Sequence, residues 1–189
     1  TALALARKNF TVCLIIDGFT DKTKSNLVTF FSLGSMNYLT SILENPSELG
    51  EFVDIEKIIC CFEYSKRGQN ITFNDTEKLM LGKILPNAFI GSLLEKNTRL
   101  SKRINIIENS KIIHKENNSN GITVTLGDKS KIISRIFILS STVNKKILNN
   151  SGIKFIDQDF NQTALSINVS GNFKNASQAF QIFTSKGPL

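Results

Sequence analysis

KIISRIFILSSTVNKKILNNSGI, residues 131–153, is the stretch that decides the fold class. Its core, residues 136–139, is apolar at every position. A strand that is buried on only one face would alternate, so this run predicts a strand covered on both faces of an α/β sheet. Ser140, Ser141 and Thr142 then open a loop at the carboxyl end of that strand. Because open α/β sheets bind ligands at the carboxyl ends of their strands, the loop is predicted to border a ligand site.

The N-terminal residues predict a helix followed by a strand. Residues 1–8 are rich in Ala and Leu, Asn9 is a C-terminal stop, and residues 12–16 are apolar. Helix, turn and strand in this order form the second half of a βαβ unit, and no GxGxxG occurs in the 189 residues. In dinucleotide-binding folds an acidic residue at the end of the second strand binds the ribose hydroxyls. Asp17 is the candidate for that role, and the alternative is a polar residue that starts a turn with Gly18.

Charge and cysteine content narrow the function classes. The net charge is +7, but lysines are scattered and no run of five like charges occurs, which favours a solvated surface over a nucleic-acid site.

Three cysteines without CxxC spacing, two of them adjacent in an apolar run, predict buried thiols in a reducing compartment. His114 is the only histidine and is predicted to be exposed, so neither a metal site nor a His-dependent catalytic site is supported. No apolar stretch reaches the roughly 18 to 20 residues of a membrane span, and no signal peptide is predicted.

Several short motifs occur in a fixed order along the chain. They are LGSMNYL at 33–39, MLGKILPN at 80–87, Asn144 with Gly152-Ile153, DFNQTAL at 159–165, and AFQIF with GPL at 179–183 and 187–189. In this order they resemble the flavin-dependent aromatic-ring hydroxylases, specifically the ubiquinone-biosynthesis hydroxylases that act on polyprenyl phenols. Asn87 is predicted to cap the helix that follows it.

The resemblance implies an α/β fold. It would be a partial Rossmann-like FAD-binding fold of the para-hydroxybenzoate hydroxylase type, with part of a β-rich substrate domain. Residues 1–48 and 82–153 would form the FAD-binding-like domain, without its first strand and Gly loop, and residues 49–81 and 154–189 the partial substrate domain. FAD is the implied cofactor and NAD(P)H the implied co-substrate.

The same resemblance places uncharged residues where the family binds its flavin. Leu27 and Gly91 stand where the family has arginines, and Ser141-Thr142 where it has Asp-Gly. We therefore expect an inactive fragment that does not bind FAD tightly. The alternative is a non-catalytic interaction partner that pairs with a complementary chain or a ubiquinone-biosynthesis complex. The implied location is the cytoplasm, with peripheral contact at the inner membrane left open and no nucleic-acid partner.

Overall fold

The structure is a computed structural model that describes residues 1–16, 27–50, 52–63, 70–74, 80–119, 121–140, 156, 158–172 and 174–189. Several predicted positions lie outside the described residues, namely Asp17, Ser141, Thr142, Asn144 and Gly152-Ile153. Their predicted roles therefore stay predictions.

The described chain is a mixed α and β protein with more strands than helices. The helices are α1 (Ala2–Arg7), α2 (Leu33–Ile42) and α3 (Asn87–Leu100), with a short 3-10 helix at Pro46–Leu49. The strands are β1 (Val12–Ile15), β2 (Val28–Ser32), β3 (Asp54–Ile55), β4 (Lys57–Phe62), β5 (Ile71–Asn74), β6 (Gly82–Pro86), β7 (Ile104–Ile107), β8 (Ile112–Asn118), β9 (Gly121–Leu126), β10 (Lys131–Ser134), β11 (Gln178–Thr184) and β12 (Gly187–Pro188). This composition agrees with the α/β class.

Contacts between residues divide the chain into two compact units. The first contains Thr1–Phe10, Asp21–Arg103 and Ser166–Leu189, and the second contains Thr11–Thr20 and Ile104–Leu165. The predicted division into a FAD-binding-like and a substrate domain stays a prediction.

Three helices and a short sheet form the core of the first unit. The predicted N-terminal helix is confirmed as α1, and Asn9 after it has the left-handed φ of 67° expected of a helix stop. Helix α2 buries Met36, Leu39 and Ile42 on one face, as its apolar spacing predicts. The α2 C-terminus accepts a hydrogen bond at the Ile42 carbonyl from Arg7 Nε, 3.0 Å away, which ties α1 to α2.

A three-stranded antiparallel sheet, in the order β2-β6-β3, lies beneath these helices. Its centre is fully buried at Ile55 and Leu85. Gly82, the first residue of β6, pairs with Ser32 on one side and Ile55 on the other. A Cβ atom there would lie 2.1 Å from the Phe31 carbonyl oxygen, so only glycine fits.

A four-stranded sheet in the order β12-β11-β4-β5 completes the first unit. Strand β4 is parallel to β11 and antiparallel to β5. The sheet thus joins strand β4, near residue 60, to the AFQIF motif near residue 180. The motif resemblance groups these two segments in the same way.

The second unit contains two small sheets. Strands β1 and β7 pair in parallel, from Val12 with Ile104 to Ile15 with Ile107. Strands β8, β9 and β10 form an antiparallel meander that buries Val124 and Leu126. Strand β8 continues to Asn118, and β9 begins at Gly121.

The prediction of a buried strand at residues 136–139 is wrong. Strand β10 ends at Ser134, and residues 136–140 have no assigned secondary structure. Ile136 is 70% exposed and Ile138 53% exposed, whereas Phe137 and Leu139 are half-buried. Among the described residues no strand pairs with this run, so its backbone makes no ladder and only alternate side chains are covered.

The cysteines are free thiols, but they are less buried than predicted. Cys60 and Cys61 are half-buried in β4, and Cys13 in β1 is exposed. Partial burial of its sulfur nevertheless raises the pKa of the Cys13 thiol, which disfavours the reactive thiolate form. Within the described ranges, no helix has both the length and the apolar character needed to cross a membrane.

Candidate cofactor-binding site

The parallel pair β1 and β7 forms the first place where a ligand site is expected. After the strands end, the Ile16 N–H donates to the Ile107 carbonyl at 3.0 Å, and the Ser110 N–H donates to the Ile16 carbonyl at 3.3 Å. The carboxyl ends of both strands therefore stay side by side. Asp17, the predicted ribose ligand, comes next in the chain but lies outside the described residues.

Glu108 is a candidate at the same edge that the sequence reasoning missed. It follows β7 directly, is half-buried, and precedes Asn109, whose φ is 54°. The signal that could have found it is its position after the apolar run 104–107, which matches the position of Asp17 after residues 12–16. The edge thus carries a carboxylate within the described residues.

The N-terminal end of α3 is the second place, and it contains two of the positions that the family resemblance singles out. The Asn87 N–H donates to the Leu27 carbonyl at 2.9 Å. Leu27, just before β2, is therefore held against the first residue of α3, and Gly91 follows one turn later on that helix. The structure brings these two chain segments together from sequence positions about sixty residues apart.

The prediction that Asn87 caps α3 is wrong. The capping position is occupied by Pro86, and Asn87 is already the first helical residue. Its side-chain oxygen Oδ1 instead accepts a hydrogen bond from Thr29 Oγ1 at 2.6 Å. The carboxamide therefore fastens α3 to β2, because the hydroxyl of Thr29 competes successfully with the backbone N–H groups of the helix.

The chemistry of this helix end is apolar at the two substituted positions. Leu27 contributes an exposed aliphatic side chain and Gly91 contributes no side chain. The two salt-bridging cations of α3 are in its second half, where Lys96 pairs with Glu48 and Arg99 pairs with Glu95, both at 3.0 Å. The helix dipole favours an anion at the N-terminus, but neither of these positions adds a positive charge.

A shallow cavity of about 310 Å³ lies along α3, and it also lacks a net positive charge. It is lined by Glu48, Phe89, Ser92, Leu93 and Lys96. The ring of Phe89 contacts the ring of Phe52 with 4.7 Å between centroids. Because its one cation and one anion neutralise each other, the cavity offers no net charge to a pyrophosphate.

FAD would need cationic or polar donors near its phosphates and ring, and the described residues at the α3 end do not fit that need. The Asn87 N–H and Oδ1, the Leu27 carbonyl and the Thr29 hydroxyl already form hydrogen bonds within the protein. His114 is exposed on β8, as predicted, and its Nε2 lies 3.9 Å from Glu116 Oε2. The described residues contain no group of three His, Cys, Asp or Glu side chains placed to hold a metal ion.

Comparison with known proteins identifies the class of fold. Protein-family models produce no match, and neither do curated protein sequences. Solved structures do match, and they show that the chain has a fold like that of FAD-dependent monooxygenases. The structures do not distinguish the ubiquinone-biosynthesis family within that class.

Two of these structures are FqzB and PqsL. The structure of FqzB matches with a TM-score of 0.53 and 12% sequence identity over 69% of this chain and 30% of that chain. PqsL, described as a probable FAD-dependent monooxygenase from Pseudomonas aeruginosa, matches with a TM-score of 0.52 and 13% identity over 70% of this chain and 36% of that chain. This chain therefore spans about a third of the length of the structures it matches.

Proposed function

We propose that this chain is built on the scaffold of a flavin-dependent ring hydroxylase and does not itself retain FAD. The parent activity would be NAD(P)H-dependent hydroxylation of a polyprenyl phenol in ubiquinone biosynthesis. Support for the class comes from the FAD-dependent monooxygenase-like fold, and support for the substrate comes from the motif resemblance. The residues of this chain itself support the other part of the proposal, that it does not retain FAD and is therefore not catalytic.

One observation carries the proposal: Leu27 is hydrogen-bonded to the first residue of α3, Gly91 lies one turn further along that helix, and neither residue has a charged side chain. A hydrogen bond to a charged group contributes about 1.5 to 3 kcal/mol. Two missing arginines would thus remove about 3 to 6 kcal/mol of binding free energy, or a factor of about 10² to 10⁴ in affinity. We expect FAD that is added to the chain to be lost during gel filtration.

Restoring the two charges tests this explanation directly. The double variant Leu27→Arg/Gly91→Arg is expected to retain more FAD than the unmodified chain, measured by flavin absorbance after removal of free ligand. The matched control is Gly34→Arg/Leu100→Arg, which makes the same two residue changes on helices α2 and α3 away from the α3 N-terminus. Leu100 is exposed, and a Cβ at Gly34 meets nothing closer than 4.0 Å.

The outcomes separate a specific site from general charge. Retention by Leu27→Arg/Gly91→Arg but not by the control supports the proposal. Equal retention by both variants would mean that added positive charge alone attracts the anionic cofactor. Tight binding by the unmodified chain would contradict the proposal and would make hydroxylase assays the next step.

Binding of another chain is the second candidate function, and the exposed run 136–139 favours it. Four consecutive apolar residues with Ile136 and Ile138 open to solvent form a surface that an apolar partner could cover. Replacement of both isoleucines by Ser would weaken such an association. A pull-down that recovers the same partner with both forms would argue against this run as the binding surface.

A further inference from the structure

The four-stranded sheet of the first unit has one face on which every described side chain is uncharged. Side chains alternate between the faces of a sheet, and the strand register assigns Ile58, Cys60 and Phe62 of β4 to this face. Their neighbours in β5, β11 and β12 complete it: Ile71, Phe73, Ala179, Gln181, Phe183 and Pro188. We call these nine residues the apolar face.

Large side chains on the apolar face are open to solvent. Phe73 is 53% exposed, and Phe62, Ile71 and Phe183 are exposed to a similar degree. Phe62 and Phe183 stack on each other, with 5.2 Å between ring centroids and 13° between ring planes. The pair forms a preorganised flat surface, because each ring restricts the movement of the other.

The opposite face of the same sheet differs in chemistry. It presents Lys57, Thr72, Asn74 and Gln178 among its apolar residues. An exposed sheet face normally has such a mixture, whereas a face with one amide, here Gln181, among otherwise apolar side chains is normally packed against another layer. The apolar face therefore has the composition of a buried surface.

We propose that the apolar face binds the apolar face of a second copy of this chain, which makes a symmetric dimer. Two sheets that pack face to face lie about 10 Å apart, and a twofold axis brings identical surfaces together. No charged side chain on the face would have to be desolvated. A second copy supplies the same flat, uncharged surface that each copy presents.

The available area fits a weak dimer. The exposed parts of the nine side chains amount to roughly 500 Å², estimated from the 150 to 250 Å² of an aromatic side chain and the observed exposures. Two copies would bury roughly 1,000 Å² in total, near the lower limit for a specific interface. The dimer is therefore expected to dissociate on dilution.

The net charge of +7 on each copy opposes the association at low ionic strength. Salt screens this repulsion, with a Debye length of about 8 Å at 0.15 M, while the contact itself carries no charge. The dimer is therefore expected to become tighter as salt is added. A salt-bridged interface would show the opposite dependence.

Sedimentation velocity at increasing protein concentration tests the proposal, with a mass of 21.0 kDa expected for the monomer. The variant Phe73→Lys places a charge on the apolar face, and Phe180→Lys is its control on the opposite face with nearly equal exposure of 56%. We expect Phe73→Lys to weaken dimerisation at least about tenfold, as for an anchor residue of an interface, and Phe180→Lys to leave it unchanged. Circular dichroism confirms that each variant is folded.

Cysteine cross-linking provides a second test that needs no disruptive variant. Cys60 is central on the apolar face, between Ile71 and Gln181, whereas Cys61 points to the opposite face. A chain that keeps only Cys60 should form cross-linked dimers with a bismaleimide whose reach matches the spacing of about 10 Å between packed sheets. A chain that keeps only Cys61 should not.

Three results would overturn the proposal. One is a monomer at every concentration and salt level. Another is a dimer that Phe73→Lys does not weaken, or that both lysine variants weaken equally. The third is a monomer that binds anionic vesicles or another protein through this face, which would identify a different occupant.

Discussion

Gly82 shows how one missing side chain permits the first unit to close. Its backbone lies so near β2 that the Cβ of an alanine would lie 2.1 Å from the Phe31 carbonyl oxygen and 2.8 Å from the Phe30 ring. Backbone cannot move away without breaking the β2 to β6 ladder. We expect Gly82→Ala to lower the free energy of unfolding by more than about 2 kcal/mol, measured by urea denaturation.

Gly34→Ala is the matched control for Gly82→Ala. Gly34 is inside α2, where a new Cβ would meet only Ser32 Oγ at 4.0 Å. Because alanine is the better helix former, this change should stabilise the protein by about 0.5 to 1 kcal/mol. A Gly82→Ala variant as stable as the unmodified chain would show that the strands are not this close.

Asp128 gives a prediction about pH. Ser130 donates to Asp128 Oδ1 through its hydroxyl at 2.6 Å and its N–H at 2.9 Å, and these bonds lower the pKa of the Asp128 carboxyl. A lowered folded-state pKa contributes stability above the unfolded-state value of about 3.9, and that contribution is lost as pH falls through the folded-state value.

The variant Asp128→Asn should therefore be less stable than the unmodified chain near pH 6, with a difference that shrinks below about pH 4. Thermal unfolding of both proteins across this range measures the effect. Ser130→Ala should reduce the same difference, because it removes the shorter of the two hydrogen bonds. A difference that does not vary with pH would contradict the assignment.

The role of a residue was predictable where it depends on the residue's own conformational preference, and not where it depends on a partner far away in the sequence. The role of Asn9 as a helix stop follows from its own tolerance of positive φ, and the structure confirms it at 67°. The role of Asn87 depends on Thr29, which is 58 positions earlier, so the helix-capping prediction could not anticipate the competing hydrogen bond.

Among the elements, helix α3 is joined to α2 by one buried amide. Asn97 is almost fully buried, its Nδ2 donates to the Leu93 carbonyl at 2.9 Å, and its Oδ1 accepts from the Glu44 N–H at 2.8 Å. We expect Asn97→Leu to lower the free energy of unfolding by about 1 to 3 kcal/mol, because the Glu44 N–H loses its acceptor.

The variant Asn97→Asp distinguishes the contribution of the Oδ1 acceptor from that of the Nδ2 donor. It keeps an oxygen for Glu44 but replaces the Nδ2 donor with a buried negative charge, so it should be destabilising at pH 7 and recover near pH 4 as the carboxyl protonates. Ser92→Ala on the exposed side of the same helix serves as the control. Equal stability of Asn97→Leu and Ser92→Ala would mean that the amide link contributes nothing.

Periodicity predicted most helices and strands, and it failed where pairing decided the outcome. The Ala- and Leu-rich N-terminal segment and the apolar residues 12–16 are local patterns, and the structure confirms them as α1 and β1. Strand β2 is largely exposed and pairs with β6, so its own periodicity does not predict it. The run 136–139 has strand-like composition but no described partner strand, so composition alone misled.

At the scale of the whole molecule, the sheet order could not be derived from periodicity. Strands β4 and β11 pair in parallel although they are more than a hundred residues apart. Only the motif resemblance grouped them, and the same resemblance predicted the FAD-dependent monooxygenase-like fold that the solved structures show. The identities at Leu27 and Gly91 were readable in the sequence, but the hydrogen bond that places Leu27 against the first residue of α3 required the structure.

The fold of this chain and the chemistry that this fold usually supports are separate questions. The scaffold matches the monooxygenase class over about 70% of the chain. The charged groups expected at the α3 N-terminus are replaced by an aliphatic side chain and a glycine. The proposal is therefore that this chain keeps the fold without the cofactor chemistry, since one fold can carry different functions.

The most direct test is the absorption spectrum of the purified 189-residue chain after incubation with excess FAD and gel filtration. The account predicts a spectrum without a flavin band between about 350 and 500 nm, because the missing charge-assisted contacts weaken binding by about 10² to 10⁴. A band corresponding to one flavin per chain would contradict it, and would show that the substituted site still binds the cofactor.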